Sequence, residues 1–69
     1  MKGRIDDAIE ANLKAIDLHA DFAPAHNNLA IAYLEKGQYP LAVEYCDKAR
    51  ELGYNVAPEI LKEIDGHRK

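Results

Sequence analysis

Residues 28–52 read NLAIAYLEKGQYPLAVEYCDKAREL, and this stretch decides the fold. Its first part carries Leu29, Ala30, Ile31, Ala32, Tyr33 and Leu34, an apolar set that predicts a helix ending near Lys36. Gly37 follows, supplying the left-handed stop that commonly closes a helix. Pro40 restarts the chain, because a first helical turn needs no amide hydrogen at that place. Leu41, Ala42, Val43, Tyr45, Cys46, Ala49 and Leu52 form the apolar set of the next helix, and Gly53 ends it. So short a connection predicts two antiparallel helices packed face to face.

Upstream, a helix is predicted from about Ile5 to Leu18, with Ile5, Ala8, Ile9, Ala11, Leu13, Ala15, Ile16 and Leu18 spread over a wide arc. Asp6 and Asp7 stand at its start, where negative charge complements the helix dipole. Residues 19–23 link it to Pro24, which opens the second helix. Downstream, Pro58 opens a fourth helix through Ile60, Leu61 and Ile64, with Gly66 as its expected end. No segment alternates as a strand does. Shifting the chain by thirty-four residues lays Lys2 on Lys36, Gly3 on Gly37, Ala8 on Ala42, Glu10 on Glu44 and Lys14 on Lys48. The same shift pairs Ala15 with Ala49, Leu18 with Leu52, Ala23 with Ala57 and Pro24 with Pro58. These are nine identities, where unrelated sequence gives about two; a period of this length marks stacked helical hairpins.

The bulk properties fit one small domain with a thin core. The 69 residues are 48% apolar and 30% charged, with a formal net charge of -3. An acidic balance with no basic patch argues against nucleic acid, because phosphate neutralisation needs clustered positive charge. The only basic cluster is His67, Arg68 and Lys69, read as a solvated helix terminus. No apolar run approaches the roughly 20 residues that span a bilayer. No signal core precedes the charged Lys2, Arg4, Asp6 and Asp7. A single cysteine forms no intrachain disulfide and agrees with a reducing compartment, so the expected location is cytoplasmic.

Asn28, Leu29, Ala30, Tyr33, Gly37, Tyr39, Ala42, Val43, Cys46, Ala49 and Leu52, at their spacing, resemble the tetratricopeptide repeat. The resemblance implies an all-α fold, antiparallel helical hairpins stacked as a right-handed superhelix of about four helices. In it, residues 3–22 correspond to the second half of a repeat, 23–56 to a complete repeat and 57–69 to a C-terminal capping helix. Ala30, Ala42 and Ala49 are expected where the helices approach most closely. Four positions depart from the pattern: His26 stands in the place of Trp, Ala30 of Gly and Cys46 of an aromatic residue, while Tyr54 follows Gly53 in place of Asp-Pro. The chain thus starts in mid-repeat, as the C-terminal piece of a longer array does, or as a protein whose first helix is covered by self-association. Ile5, Ile9 and Ile16 are expected to form that uncovered face, with the polar Asn12 softening it.

Few residues suggest chemistry. Cys46 as nucleophile with His26 as base would need hydrogen-bond contact and a third orienting group, and no catalytic motif accompanies them. A small hydrophobe is the simpler reading of Cys46. His19, His26 and His67 lack metal-ligand spacing, Asp17 and Asp21 fit a solvated turn, and no glycine-rich phosphate loop exists. No cofactor or metal is expected. The resemblance implies instead a groove lined by the first helix of the hairpin. Its residues are Asn27, Asn28, Ile31, Leu34 and Glu35, with Lys62 from the last helix. Asparagine amides both donate and accept toward a peptide backbone. Of the lysine-and-asparagine clamp with which part of the family grips a terminal carboxylate, only Asn28 and loosely Lys62 match. The expected function is non-enzymatic protein–protein interaction with a peptide or helix, or with a second copy of the chain. A cysteine-based activity and a purely structural spacer are the alternatives.

Overall fold

The computed structural model describes residues 3–68. It contains four helices in the expected order: α1 (Arg4–Leu18), α2 (Ala23–Lys36), α3 (Tyr39–Glu51) and α4 (Pro58–Gly66). Each packs on its neighbour in sequence. Proline stands in the first turn of α2, α3 and α4, as Pro24, Pro40 and Pro58. Two glycines end helices in the left-handed conformation, Gly37 at φ 79° and Gly53 at φ 87°. At Gly37 the amide of Gln38 donates to the Tyr33 carbonyl at 2.9 Å and that of Gly37 to Leu34 at 3.1 Å. The same paired pattern recurs as Tyr54 to Ala49 and Gly53 to Arg50. Carbonyls left open by each helix end are thereby satisfied, and the chain turns at once into its next element. Gly66 differs: it is the last residue of α4 and lacks a positive φ.

Burial reflects each helix's place in the stack. α2 encloses Ala25, His26, Asn27, Leu29, Ala30, Ala32 and Leu34, residues spread over more than half of its circumference, because α1 covers one side and α3 the other. α1 and α4 enclose one residue each, Ile9 and Ile64. Between α2 and α3 the core holds Ala30, Ala42, Cys46 and Ala49, all without exposed surface, and Val56 and Ile64 extend it toward α4. Small side chains at these places let the helix backbones approach closely, as the sequence predicts. A second cluster, Ile9, Leu29 and Ala32, joins α1 to α2. Tyr33 and Tyr45 touch both clusters and stack on each other at a centroid distance of 5.7 Å.

One expectation about α1 is corrected here. Ile9 is buried against Leu29 and Ala32, and Ile5 and Ile16 are half-buried on the same cluster. These three isoleucines therefore hold α1 to α2 and do not form its uncovered face. At 3.6 residues per turn the face lying roughly a quarter-turn or more away carries Ala8, Ala11, Ala15 and Leu18. Of these, Ala8, Ala11 and Leu18 are exposed. The sequence shows a broad apolar arc on α1 but not which part of it α2 takes.

Candidate functional site

The six groove residues expected from the sequence divide into two groups. Asn28 and Glu35 are exposed and Ile31 is half-buried on α2, while Lys62 is exposed on α4. Asn27 and Leu34 are each only 8% exposed. Leu34 belongs to the core between α2 and α3, so it is a packing residue and not a groove contact. Asn27 is likewise enclosed, and its Oδ1 has no hydrogen-bond partner. Both expectations are thus corrected, for one physical reason. Neighbouring residues on a helix point about 100° apart, and α2 is covered on two sides.

Asn28, Ile31 and Glu35 stand at i, i+3 and i+7, so they share one stripe along α2. Asn28 Nδ2 donates to Asn12 Oδ1 across the α1–α2 seam at 3.4 Å, and Asn12 Nδ2 donates to the Ala8 carbonyl at 2.7 Å. The Asn12 amide is thereby oriented by its own helix, and from beside the stripe it holds Asn28. Asn12 is the member of this group that the groove assignment omits. Its signal in the sequence is a polar residue inside an otherwise apolar arc. Lys62 makes no hydrogen bond or ion pair among the described residues, and nothing joins it to the α2 stripe. Nearby, Lys36 Nζ reaches Asp6 Oδ1 at 2.6 Å and ties the end of α2 to the start of α1.

The far end of the molecule is closed by residues 67 and 68. His67 stacks on Tyr39 with ring centroids 3.6 Å apart and planes 6° apart. Arg68 places its two terminal nitrogens on the two oxygens of Asp47, at 2.9 Å each, and its Nε on Asp65 at 3.3 Å. The Arg68 hydrogen bonds hold the Asp47 carboxyl below its usual range and keep the guanidinium more firmly charged. This basic end, expected to be merely solvated, is instead bound back on α3. Lys69 lies outside the described residues.

Cys46 has no exposed surface, and burial, followed by the charge of Asp47, raises its thiol above the ordinary value. A reactive cysteine needs the opposite environment, partly exposed and electropositive. His26 Nε2 lies 2.8 Å from the Ala20 carbonyl, so the ring anchors the α1–α2 turn and is 5.8 Å, centroid to centroid, from Tyr45.

Two family models match the chain: the tetratricopeptide repeat over residues 23–52 and a TPR repeat over residues 1–37. The first spans α2 and α3 and the second α1 and α2, so both hairpins of the central stack are matched. The chain belongs to the tetratricopeptide-repeat family, whose members generally mediate protein–protein interaction as non-enzymatic scaffolds. No curated protein matches it. No solved structure matches it either. Among the described residues, no helix is long and apolar enough to cross a membrane.

Proposed function

We propose that the chain is a protein-binding module whose recognition stripe is Asn28, Ile31 and Glu35 on α2, with Asn12 at its edge. The observation that carries this reading is the Asn12–Asn28 amide pair. It is exposed, braced from α1, and retains an acceptor oxygen and a second amide hydrogen on Asn28 that no described residue uses. Such an amide suits an extended peptide backbone, Ile31 offers apolar contact, and Glu35 favours a basic residue on the ligand. The wider division follows the family: residues 3–22 as a half-repeat, 23–56 as a full repeat and 57–69 as a cap. Lys62 enters this proposal only if the ligand extends onto α4.

Affinity selection from a displayed random-peptide library on the folded protein tests the assignment. Selected peptides should lose binding to Asn28→Ala and Ile31→Glu variants that keep native helix content. Peptides that bind both variants as well as the parent would place the recognition surface elsewhere.

A second reading, self-association, is favoured by a specific observation. Leu18 is 75% exposed, Phe22 49% and Leu13 40%, and these are three of the four large exposed hydrophobic residues among the described residues. All lie on α1 or the turn after it. The contact in this reading uses Leu18 and Phe22 in place of Ile5, Ile9 and Ile16. A cysteine-based activity draws no support from an enclosed, protonated thiol, and a spacer leaves the braced amide pair without a role.

A further inference from the structure

Thirty-four residues after Ala8 and Ala15 stand Ala42 and Ala49, which have no exposed surface where α2 lies across α3. The same seam on α1 is open: Ala8 is exposed and Ala15 half-buried. The molecule thus shows on α3 what this seam accepts, a helix at close range. From the repeated seam and the charges beside it, we propose that the open face of α1 binds α1 of a second copy, antiparallel, across a two-fold axis at Ala11. The proposal rests on the self-association reading above and gives it a geometry.

Ala11 is the middle of the face. Asp7 and Lys14 lie to one side of it, within about 60° around the helix, and Ala15 and Ala8 mirror them on the other. Asp7 comes four residues before Ala11 and Lys14 three after. Both are exposed, and neither makes an ion pair among the described residues. Turning a second copy end for end about Ala11 sets Asp7 of each chain against Lys14 of the other, two ion pairs from one contact. A parallel second copy sets Asp7 against Asp7 and Lys14 against Lys14. Charge therefore selects the antiparallel pairing. Glu10 lies about 100° from Ala11, at the rim. Leu18 of each copy falls on Gly3 and Arg4 of the other. A Cβ at Gly3 would have nothing within 4 Å, so there is room for the leucine, and the Arg4 stem covers apolar surface.

The chain also carries the apolar counterpart that this face needs. α2 is covered on two sides, and among the described residues Tyr39 is the one large exposed hydrophobic away from α1 and its following turn. The α1 face is thus its own best complement, as a two-fold contact requires. A helix of another protein would have no need of charges balanced about Ala11. One helix-on-helix contact buries less than the about 1,200 Å² at which stable interfaces begin, so the dimer is weak and exchanging.

Sedimentation equilibrium of the whole chain, taken up to about millimolar concentration, reads the association. The mass should rise to that of a dimer and no further. Asp7→Lys and Lys14→Asp should each raise the dissociation constant at least about fivefold, while the double variant, or an equal mixture of the two single ones, should return it close to the parent's. Orientation is read separately. In a Cys46→Ala background, Asp7→Cys and Lys14→Cys chains oxidised together should cross-link to each other in preference to themselves. Should a charge reversal unfold the chain, this cross-linking decides alone. A dimer indifferent to the reversals, preferential cross-linking of like chains, or growth beyond a dimer would overturn the antiparallel contact and leave self-association standing. A monomer at every concentration would overturn both.

Discussion

Ala30, Ala42 and Ala49 show what single residues fix in this fold. All three lack exposed surface where α2 meets α3. Ala42→Leu inserts three carbons into a filled space, and the expected loss is about 1–3 kcal/mol in a denaturant melt. Gly37→Ala forces a Cβ into the left-handed region at φ 79°, an expected cost of about 1–2 kcal/mol. Cys46 makes a chemical prediction. Its raised thiol keeps the neutral form favoured in the fold, so stability is untouched below the unfolded thiol's pKa of about 8.5 and declines as pH rises past it. Cys46→Ala should remove that alkaline decline, and the native thiol should react with a disulfide reagent at least about tenfold slower than free cysteine. The alanines were legible in the sequence because a helix approach tolerates little else at that spacing. Asn27 was not. Asn27 and Asn28 are the same residue type side by side, and only the positions of α1 and α3 decide which is enclosed.

The same limit operates on whole helices. Breaks between elements were legible because Pro24, Pro40, Pro58, Gly37 and Gly53 act through the local backbone. Which face a terminal helix buries depends on a neighbour distant in sequence, so the inward turn of Ile5, Ile9 and Ile16 was not. Ile9→Asp places a charge in the seam against Leu29 and Ala32, and it should unfold α1 or lower the melting temperature sharply. α4 is held differently, by Ile64 in the core and by Arg68 and His67 outside it. Asp47 is the titrating partner. Its folded pKa lies below the unfolded value, so the pair's contribution is complete above about pH 4 and is lost as pH falls through the folded pKa. Asp47→Asn should therefore reduce amide protection in α4 at neutral pH. The difference from the parent should vanish in strong acid, and a difference that persists there would assign the effect to packing alone.

At the scale of the molecule, the two outer helices of the described stack differ. The α4 end is tied down by a ring stack and a two-pronged ion pair; the α1 end leaves Leu18 and Phe22 largely open beside the small residues Ala8 and Ala11. Small side chains permit close approach of another helix, and an exposed leucine and phenylalanine supply area that water leaves on contact. If two copies meet there, sedimentation at increasing concentration should show a rising mass. The paired change Leu18→Asp with Phe22→Asp should return a monomer with unchanged helix content, because neither side chain belongs to a core cluster. Asn28→Ala should leave that equilibrium where it was while abolishing peptide binding. The two surfaces are thereby separable: loss of self-association with peptide binding intact assigns the α1 end to assembly and the α2 stripe to recognition. A constant monomeric mass across the concentration range would remove the first assignment and leave the second standing.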